Sequence, residues 1–425
     1  MVAAAGGGGA GMARIVVAGA GIVGLCAALA LQDRGHAVAL VDRDEPGRRH
    51  ASRWNAGVLP TSSLVPLANP GTRRRLPTLL TGREPGFRLD PRVGPGVVPW
   101  GAAFLHACRP EAFAATAAAL HALIERSREA HARLSDRAGA AGLWRREGWL
   151  HLHGGPAPSA ADPVYDRHGV ARRVLDALGL AALEPSLASI FPAATLFPDT
   201  VSVDDPPALF GAYLALFRGA GGTLLRAEVR AVEPGPALRL ADGERVEADH
   251  VVLAAGPWSA EILARAGLHL PLLSERGFAA RFHLAPGAAL NRPVFDVAGG
   301  IVLAPRPGGV QLSTGTRLTR PGTPTPDGQW RRALARARRI LPLGEPIDER
   351  PATADRPTLP DDRPAVGPVP GHPGLWLSTG HQHIGFSTSA GSGAMLAVLV
   401  AGEADPLAAA FAPARVLRPM RPRAD

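Results

Sequence analysis

Hydrophobic and polar positions run on two different periods in this chain, and the clearest pattern comes first. Arg14–Ala18 is a short, β-branched apolar run, an apolar stretch continues to Leu31 and halts at Gly35, and residues 37–41 form a second apolar run closing on Asp42. Two short buried strands around a helix-length stretch predict a βαβ unit. Residues 43–100 are rich in Pro, Gly and Arg without a period, which predicts loops with short helical pieces of the kind that line a site. Residues 110–141 are Ala-rich, with apolar residues at helical spacing, and read as a long helix of a second lobe.

Further along, strands are predicted at 150–153, 223–232 and 250–255, with a hairpin over 238–248. Residues 278–284 and 300–314 alternate as antiparallel strands do. Helices are predicted at 170–178, 206–220 and 331–340, and a last strand at 375–378 leads through a Gly- and His-bearing turn into a small-residue helix ending at Val400. No repeat of solenoid period is visible, and no uninterrupted apolar run approaches the roughly 20 residues of a spanning helix.

Composition narrows the chemistry. The 425 residues are 46% hydrophobic, enough for one large two-lobed unit. All 46 basic residues are arginine, and without lysine a PLP enzyme, which holds its cofactor through a lysine Schiff base, is excluded. The net charge of +9 is spread and locally balanced, so a solvated surface is expected and a nucleic-acid partner is not. The run Arg73, Arg74, Arg75 reads as a solvated loop or an anionic-lipid contact. Cys26 and Cys108 are too few for a disulfide framework and read as core hydrophobes of a protein from a reducing compartment. The opening Ala- and Gly-rich stretch lacks the features of a signal peptide, residues 1–13 are expected to be a disordered extension, and either Met1 or Met12 serves as the start.

The first turn carries Gly19-Ala20-Gly21-Ile22-Val23-Gly24. A GxGxxG pattern is weak alone, but here it follows a strand and opens a helix. Gly19 permits the tight turn, Gly21 lets the backbone approach a pyrophosphate, Gly24 lets helix and strand pack closely, and the helix N-terminus offers free N–H groups to phosphate. Asp42, about 20 residues on, suits a ribose diol and disfavours the 2′-phosphate of NADP. NAD and FAD are not separated by this unit. The strand ending at Ala255 and running into Gly256-Pro257-Trp258-Ser259, and the segment Thr379-Gly380-His381 with Gly385 and Ser387 opening a helix, favour FAD.

With these segments in order, the chain resembles the D-amino acid dehydrogenase group within the D-amino acid oxidase/glycine oxidase superfamily of flavoproteins. Further matching pieces are Ser52 with Asn55-Ala56-Gly57, Trp100 with Cys108, Ser127-Arg128, Arg356-Pro357, Pro360-Asp361, Val366-Gly367 and Gly391-Ser392-Gly393. The resemblance implies an α/β fold: a Rossmann-type FAD-binding domain (14–75, 186–264 and 351–425) with a discontinuous mixed α+β substrate domain (76–185 and 265–350) carrying an antiparallel sheet.

It also implies roles. Gly19, Gly21, Ile22, Val23, Gly24 and Asp42 would bind the ADP half of FAD, with Arg43 beside the adenosine and Val229 at the adenine edge. Ser52, Asn55, Ala56 and Gly57 would border the pyrophosphate and isoalloxazine, with Ala255, Gly256 and Trp258 packed nearby. Gly380, Gly385, Phe386 and Ser387 would follow the pyrimidine side of the flavin. Arg356 matches the arginine that pairs with a substrate carboxylate. Where glycine-oxidase-like proteins place a second arginine, this chain has Gln382-His383. His381 and His383 are open between donating to a substrate or flavin oxygen and, for His383, capping the turn.

The expected reaction is FAD-dependent oxidation of a small amino acid, a D-amino acid by the resemblance, with hydride passing from Cα to the flavin and the imino acid hydrolysing to a 2-oxo acid and ammonia. The absence of the lysine by which sarcosine-oxidase-like relatives activate oxygen turns expectation toward a quinone or electron-carrier acceptor. The rival readings are an oxygen-using oxidase of glycine, sarcosine or a cyclic imino acid, and a flavin-carrying electron-transfer subunit. A cytoplasmic location is expected, with peripheral contact at the inner membrane.

Overall fold

The computed structural model describes residues 12–48, 50–82, 86–155 and 162–420. Residues 1–11 of the expected N-terminal extension lie outside them. Two sheets organise the chain. The first is six-stranded, in the order Thr223–Arg226, Ala37–Asp42, Arg14–Ala18, His250–Leu253, Leu375–Thr379, Ala365–Pro368, and only the last of these runs antiparallel to its neighbour. Its central strands bury nearly every residue, because helices or a small three-stranded sheet cover both faces, as parallel sheets require. The predicted strand at 223–232 divides: Thr223–Arg226 joins this sheet, whereas Val229–Glu233 turns away into the three-stranded one.

The second sheet has ten strands, mostly antiparallel, built around the long strands Leu273–Leu284 and Gly309–Thr319. One face buries Phe278, Phe282, Leu312 and Leu303 against Trp330 and Ala337 of the helix Gly328–Ile340. The other face looks toward the six-stranded sheet. Ala193–Phe197 and Ala352–Thr358 belong to this ten-stranded sheet, so the boundaries drawn at 186 and 351 give the wrong sheet to both strands. Residues 173–176 are a strand, followed by a helix at Ala177–Leu183, rather than the helix predicted over 170–178. β-branched Val174 and the pairing of all four residues with Ala193–Phe197 decide it.

The long helix Pro110–Arg137 does not belong to a second lobe. Its Leu120, Leu123, Ala130 and Leu134 join the core of the dinucleotide layer. It is held there by the apolar helix Gly385–Val400, which lies between it and Ile22–Gln32. A Cβ on Gly391 would stand 2.7 Å from the Leu123 carbonyl oxygen, and one on Gly393 2.7 Å from that of Cys26, so both crossings need glycine. The turn and helix over Gln382–Val400 are long and apolar enough to cross a bilayer, but two-thirds of that stretch, 67%, is buried inside the protein, as a core helix is. Cys26 and Cys108 are free and buried.

Candidate active site

A single cavity of about 1090 Å³ runs from the C-terminal edge of the six-stranded sheet to the open face of the ten-stranded one. Its first end is the GxGxxG turn. Gly19 has φ +108°, and a Cβ there would overlap the backbone of Ala254. One on Gly24 would overlap the Gly19 carbonyl. Gly21, Ile22 and Val23 face the cavity, and the helix begins at Ile22, so its N–H groups are aimed into it. Asp42 sits at the strand end, where one carboxylate oxygen accepts the Ala20 N–H at 2.8 Å and the other that of Asp44 at 3.0 Å. Both contacts fix the carboxylate toward the groove.

Arg43 stacks on the Trp258 ring, 4.0 Å from its centroid, and with Val229, Ala255 and Gly256 closes this end of the cavity. Toward the middle, Ser52 Oγ accepts the Ile22 N–H at 3.1 Å, and Asn55 accepts the Gly57 N–H at 2.7 Å, which sets the turn at Asn55-Ala56. Arg306 and Gln311 of the ten-stranded sheet grip this loop from behind: Arg306 donates to the Asn55 carbonyl at 2.9 Å and Gln311 to that of Trp54 at 3.0 Å. The sequence reading assigned neither. Gly57, Gly380 and Gly24 do not reach the cavity surface, so their place is behind the wall. Gly380 at φ +82° lies against Leu359, and Gly57 at φ +69° against Val203, where only a hydrogen fits.

The far wall is the turn that opens the helix Gly385–Val400. Gly385, Phe386 and Ser387 line the cavity with His381, Gln382 and His383. Gln382 is held at φ +48°, unusual for a residue with a side chain, and its buried Nε2 has no hydrogen-bond partner. His381 bonds Ser392 Oγ through Nε2 at 3.1 Å, its Nδ1 is unpartnered, and burial lowers its pKa to about 3, so its ring is neutral. Buried His50 Nε2 also lacks a hydrogen bond, 3.9 Å from Asp42. Glycine clefts, helix N–H groups, the Asp42 carboxylate at the strand end and unpartnered buried donors along one channel fit an extended dinucleotide.

Arg356 is no surface arginine. It stands on Ala352–Thr358 directly opposite Glu275 of Leu273–Leu284, and its Nη1 donates to Glu275 Oε1 at 3.0 Å and to the Gly315 carbonyl at 3.1 Å. Glu275 is buried, at 1% exposure, and also accepts from Thr316 and Thr358, with His383 Nδ1 at 3.8 Å. Burial works to raise its pKa, but His383 and Arg356 outweigh that and hold it at about 2. His383 therefore reaches across to a carboxylate rather than only capping its turn. The next pair along, Arg276 with Asp355, ties the same two strands through contacts of 2.7 and 2.8 Å. Glu275 went unnoticed in the sequence. Its signal was an acid-base pair, Glu275-Arg276, at the head of a strand that otherwise buries its residues.

Asp362 was missed as well. It is buried beside the cavity at φ +59°, accepts the Ala68 N–H at 2.5 Å, and leaves Oδ1 without a partner. Burial, with Asp361 and Glu275 adding repulsion, pushes its pKa from 3.8 up to about 8. A raised acid stabilises the fold fully below its unfolded value, and that contribution is lost as pH rises through the folded one. Asp362→Asn keeps the shape and the acceptor without the charge. Its Tm relative to the native protein should rise between pH 6 and pH 9, reaching about 2 °C or more at the alkaline end. A Tm difference that does not change with pH would contradict this account.

Fold and cavity together define a two-layer dinucleotide-binding oxidoreductase with its substrate floor on an antiparallel sheet. Comparison with known proteins agrees: the profile of the FAD dependent oxidoreductase (DAO) family matches residues 14–399. The chain belongs to that family, and FAD is its cofactor. It is 34% identical over 406 residues to D-amino acid dehydrogenase 2 of Pseudomonas aeruginosa, covering 90% of this chain and 94% of that one. It is 33% identical to the protein of the same name from Ralstonia nicotianae, covering 93% and 98%. Among solved structures, glycine oxidase of Bacillus cereus superposes with a TM-score of 0.68 at 20% identity, covering 97% of this chain and 99% of that one. L-proline dehydrogenase of P. horikoshii superposes with a TM-score of 0.70 at 19% identity, covering 95% and 97%. These superpositions speak for the fold.

Proposed function

We propose that this chain oxidatively deaminates a D-amino acid and passes the electrons to an acceptor other than oxygen, a quinone or carrier protein. The observation that carries the reading is Arg356 on the cavity floor, a fixed guanidinium facing the dinucleotide channel. The names of the relatives support the D-amino acid and the acceptor, and the lack of any lysine supports the latter. FAD, when bound, supplies the two-electron acceptor that takes hydride from the substrate Cα.

The chain's own residues bind and orient. The planar guanidinium of Arg356 pairs with the substrate carboxylate, which fixes the face that Cα presents. Glu275 keeps Arg356 extended along the floor and balances its charge until a carboxylate arrives. Gln382 Nε2, buried without a partner, and the N–H groups opening the helix Gly385–Val400 would hold the cofactor and favour negative charge on it. The neutral amine gives up hydride, leaving an iminium, and water then yields the 2-oxo acid and ammonium. His381, neutral and tied to Ser392, holds the turn and needs no proton of its own.

Purified protein should show visible flavin absorbance that D-amino acids bleach without oxygen and L-amino acids do not. Turnover in air should be slow and produce little peroxide, and an added artificial quinone should restore it. Rapid peroxide formation would overturn the acceptor, and a flavin that no amino acid bleaches would overturn the reaction.

A further inference from the structure

The sequence reading expects a small amino acid, yet the cavity is not shaped for one. Across the floor from Arg356 the strands follow in the order Ala352–Thr358, Leu273–Leu284, Gly309–Thr319, and beyond the last the sheet continues as Phe87–Leu89 at one end and as Ile301–Arg306 and Val294–Asp296 at the other. Neighbouring strands are about 4.8 Å apart, so each step lies a little farther from the guanidinium. Near Arg356 the positions are small. A Cβ on Gly277 would collide with the guanidinium, and Gly315, whose carbonyl accepts from Arg356, lines the cavity beside it.

Farther out, the residues facing the cavity become large. Phe87 pairs with Thr316, Leu89 with Leu318, and Phe295 with Val302. Phe295 also meets Trp149 edge to face at 6.3 Å. The opposite wall is the helix Val97–Ala107, where Trp100 and Phe104 stack at 5.4 Å between centroids. Trp100 is 7% exposed, and its indole N–H has no hydrogen-bond partner. None of the lining residues that these segments contribute carries a charge. A charged side chain entering here would lose its water and meet no counter-ion on these segments, whereas an aromatic one would replace water on both faces.

We infer that this end of the cavity is a side-chain subsite for a large apolar amino acid, aromatic above all, held with its carboxylate on Arg356. The inference rests on the amino acid reading above and names the member of that class. A methyl side chain leaves the aromatic walls wet, and a phenyl or indole covers them. The resulting preference is about tenfold to a hundredfold in kcat/KM, the usual yield of one filled apolar pocket.

The test is anaerobic flavin reduction by the holoenzyme with D-phenylalanine, D-tryptophan, D-leucine, D-alanine, D-aspartate and D-arginine, each beside its L-form. Aromatic substrates at least tenfold better than alanine, with aspartate and arginine slowest, is the expected order. Phe87→Ala should lower the ratio of kcat/KM for phenylalanine over alanine at least fivefold, with retained flavin absorbance reporting that it is folded. Alanine or a charged amino acid reacting fastest would overturn the subsite while leaving the amino acid reading intact. A flavin that none of the series bleaches would overturn both.

Discussion

Arg356→Ala should leave a yellow, folded protein whose kcat/KM for amino acids is lower by about 10² to 10³, the cost of removing one partner of a desolvated charge pair. The loss should fall mainly on substrates that carry a carboxylate and much less on simple amines, and Arg356→Lys should recover only part of it, because an ammonium lacks the fork that binds both oxygens. The variant strands Glu275, so a lower Tm is also expected. Combining it with Glu275→Gln removes the orphaned charge and should restore stability without restoring activity. Gly277→Ala offers a second route: its methyl takes the space of the guanidinium and should lower kcat/KM although no charge has changed. Normal activity of Arg356→Ala on a D-amino acid would refute the assignment of the carboxylate site.

Gly24→Ala should give protein that cannot hold FAD. Its new methyl would overlap the Gly19 carbonyl, and both groups are backbone in the turn that must cradle the cofactor, so neither can swing aside. Gly21→Ala is the informative contrast. A Cβ there would meet Ser52 Oγ at 3.6 Å and His50 Nδ1 at 3.8 Å, ordinary contacts, so the fold should survive and only the approach of the pyrophosphate should suffer. The expected pair of results is a colourless or insoluble Gly24 variant and a folded Gly21 variant that takes up added FAD weakly, read by flavin absorbance and Tm. A Gly24 variant that binds FAD as the native protein does would contradict the role of the turn.

The cavity's two ends differ in how far they could be read from the chain. The dinucleotide end was legible because its parts are neighbours in sequence: Gly19, Gly21, Gly24 and Asp42 fall within one βαβ unit, and local periodicity places each of them on a turn or a strand end. Arg356 and the His381–His383 turn came from resemblance, and the structure adds that they meet at Glu275. The helix expected over 110–141 forms as Pro110–Arg137 but lies in the other layer, since amphipathic spacing says which face is apolar and nothing about what will cover it.

By itself, then, the sequence determined the dinucleotide unit, the family and the strands and helices with strong period. Tertiary structure alone decided that Glu275 lies beneath Arg356, that Asp362 holds the Ala68 backbone, and that Arg306 and Gln311 support the Asn55 loop. Those partners are separated by 81 residues, 294 residues and about 250 residues respectively. The physical reason is that a buried polar group acquires its meaning from the charge and hydrogen bonds facing it across a strand pair or layer, and the pattern along one strand does not say which strand will lie beside it.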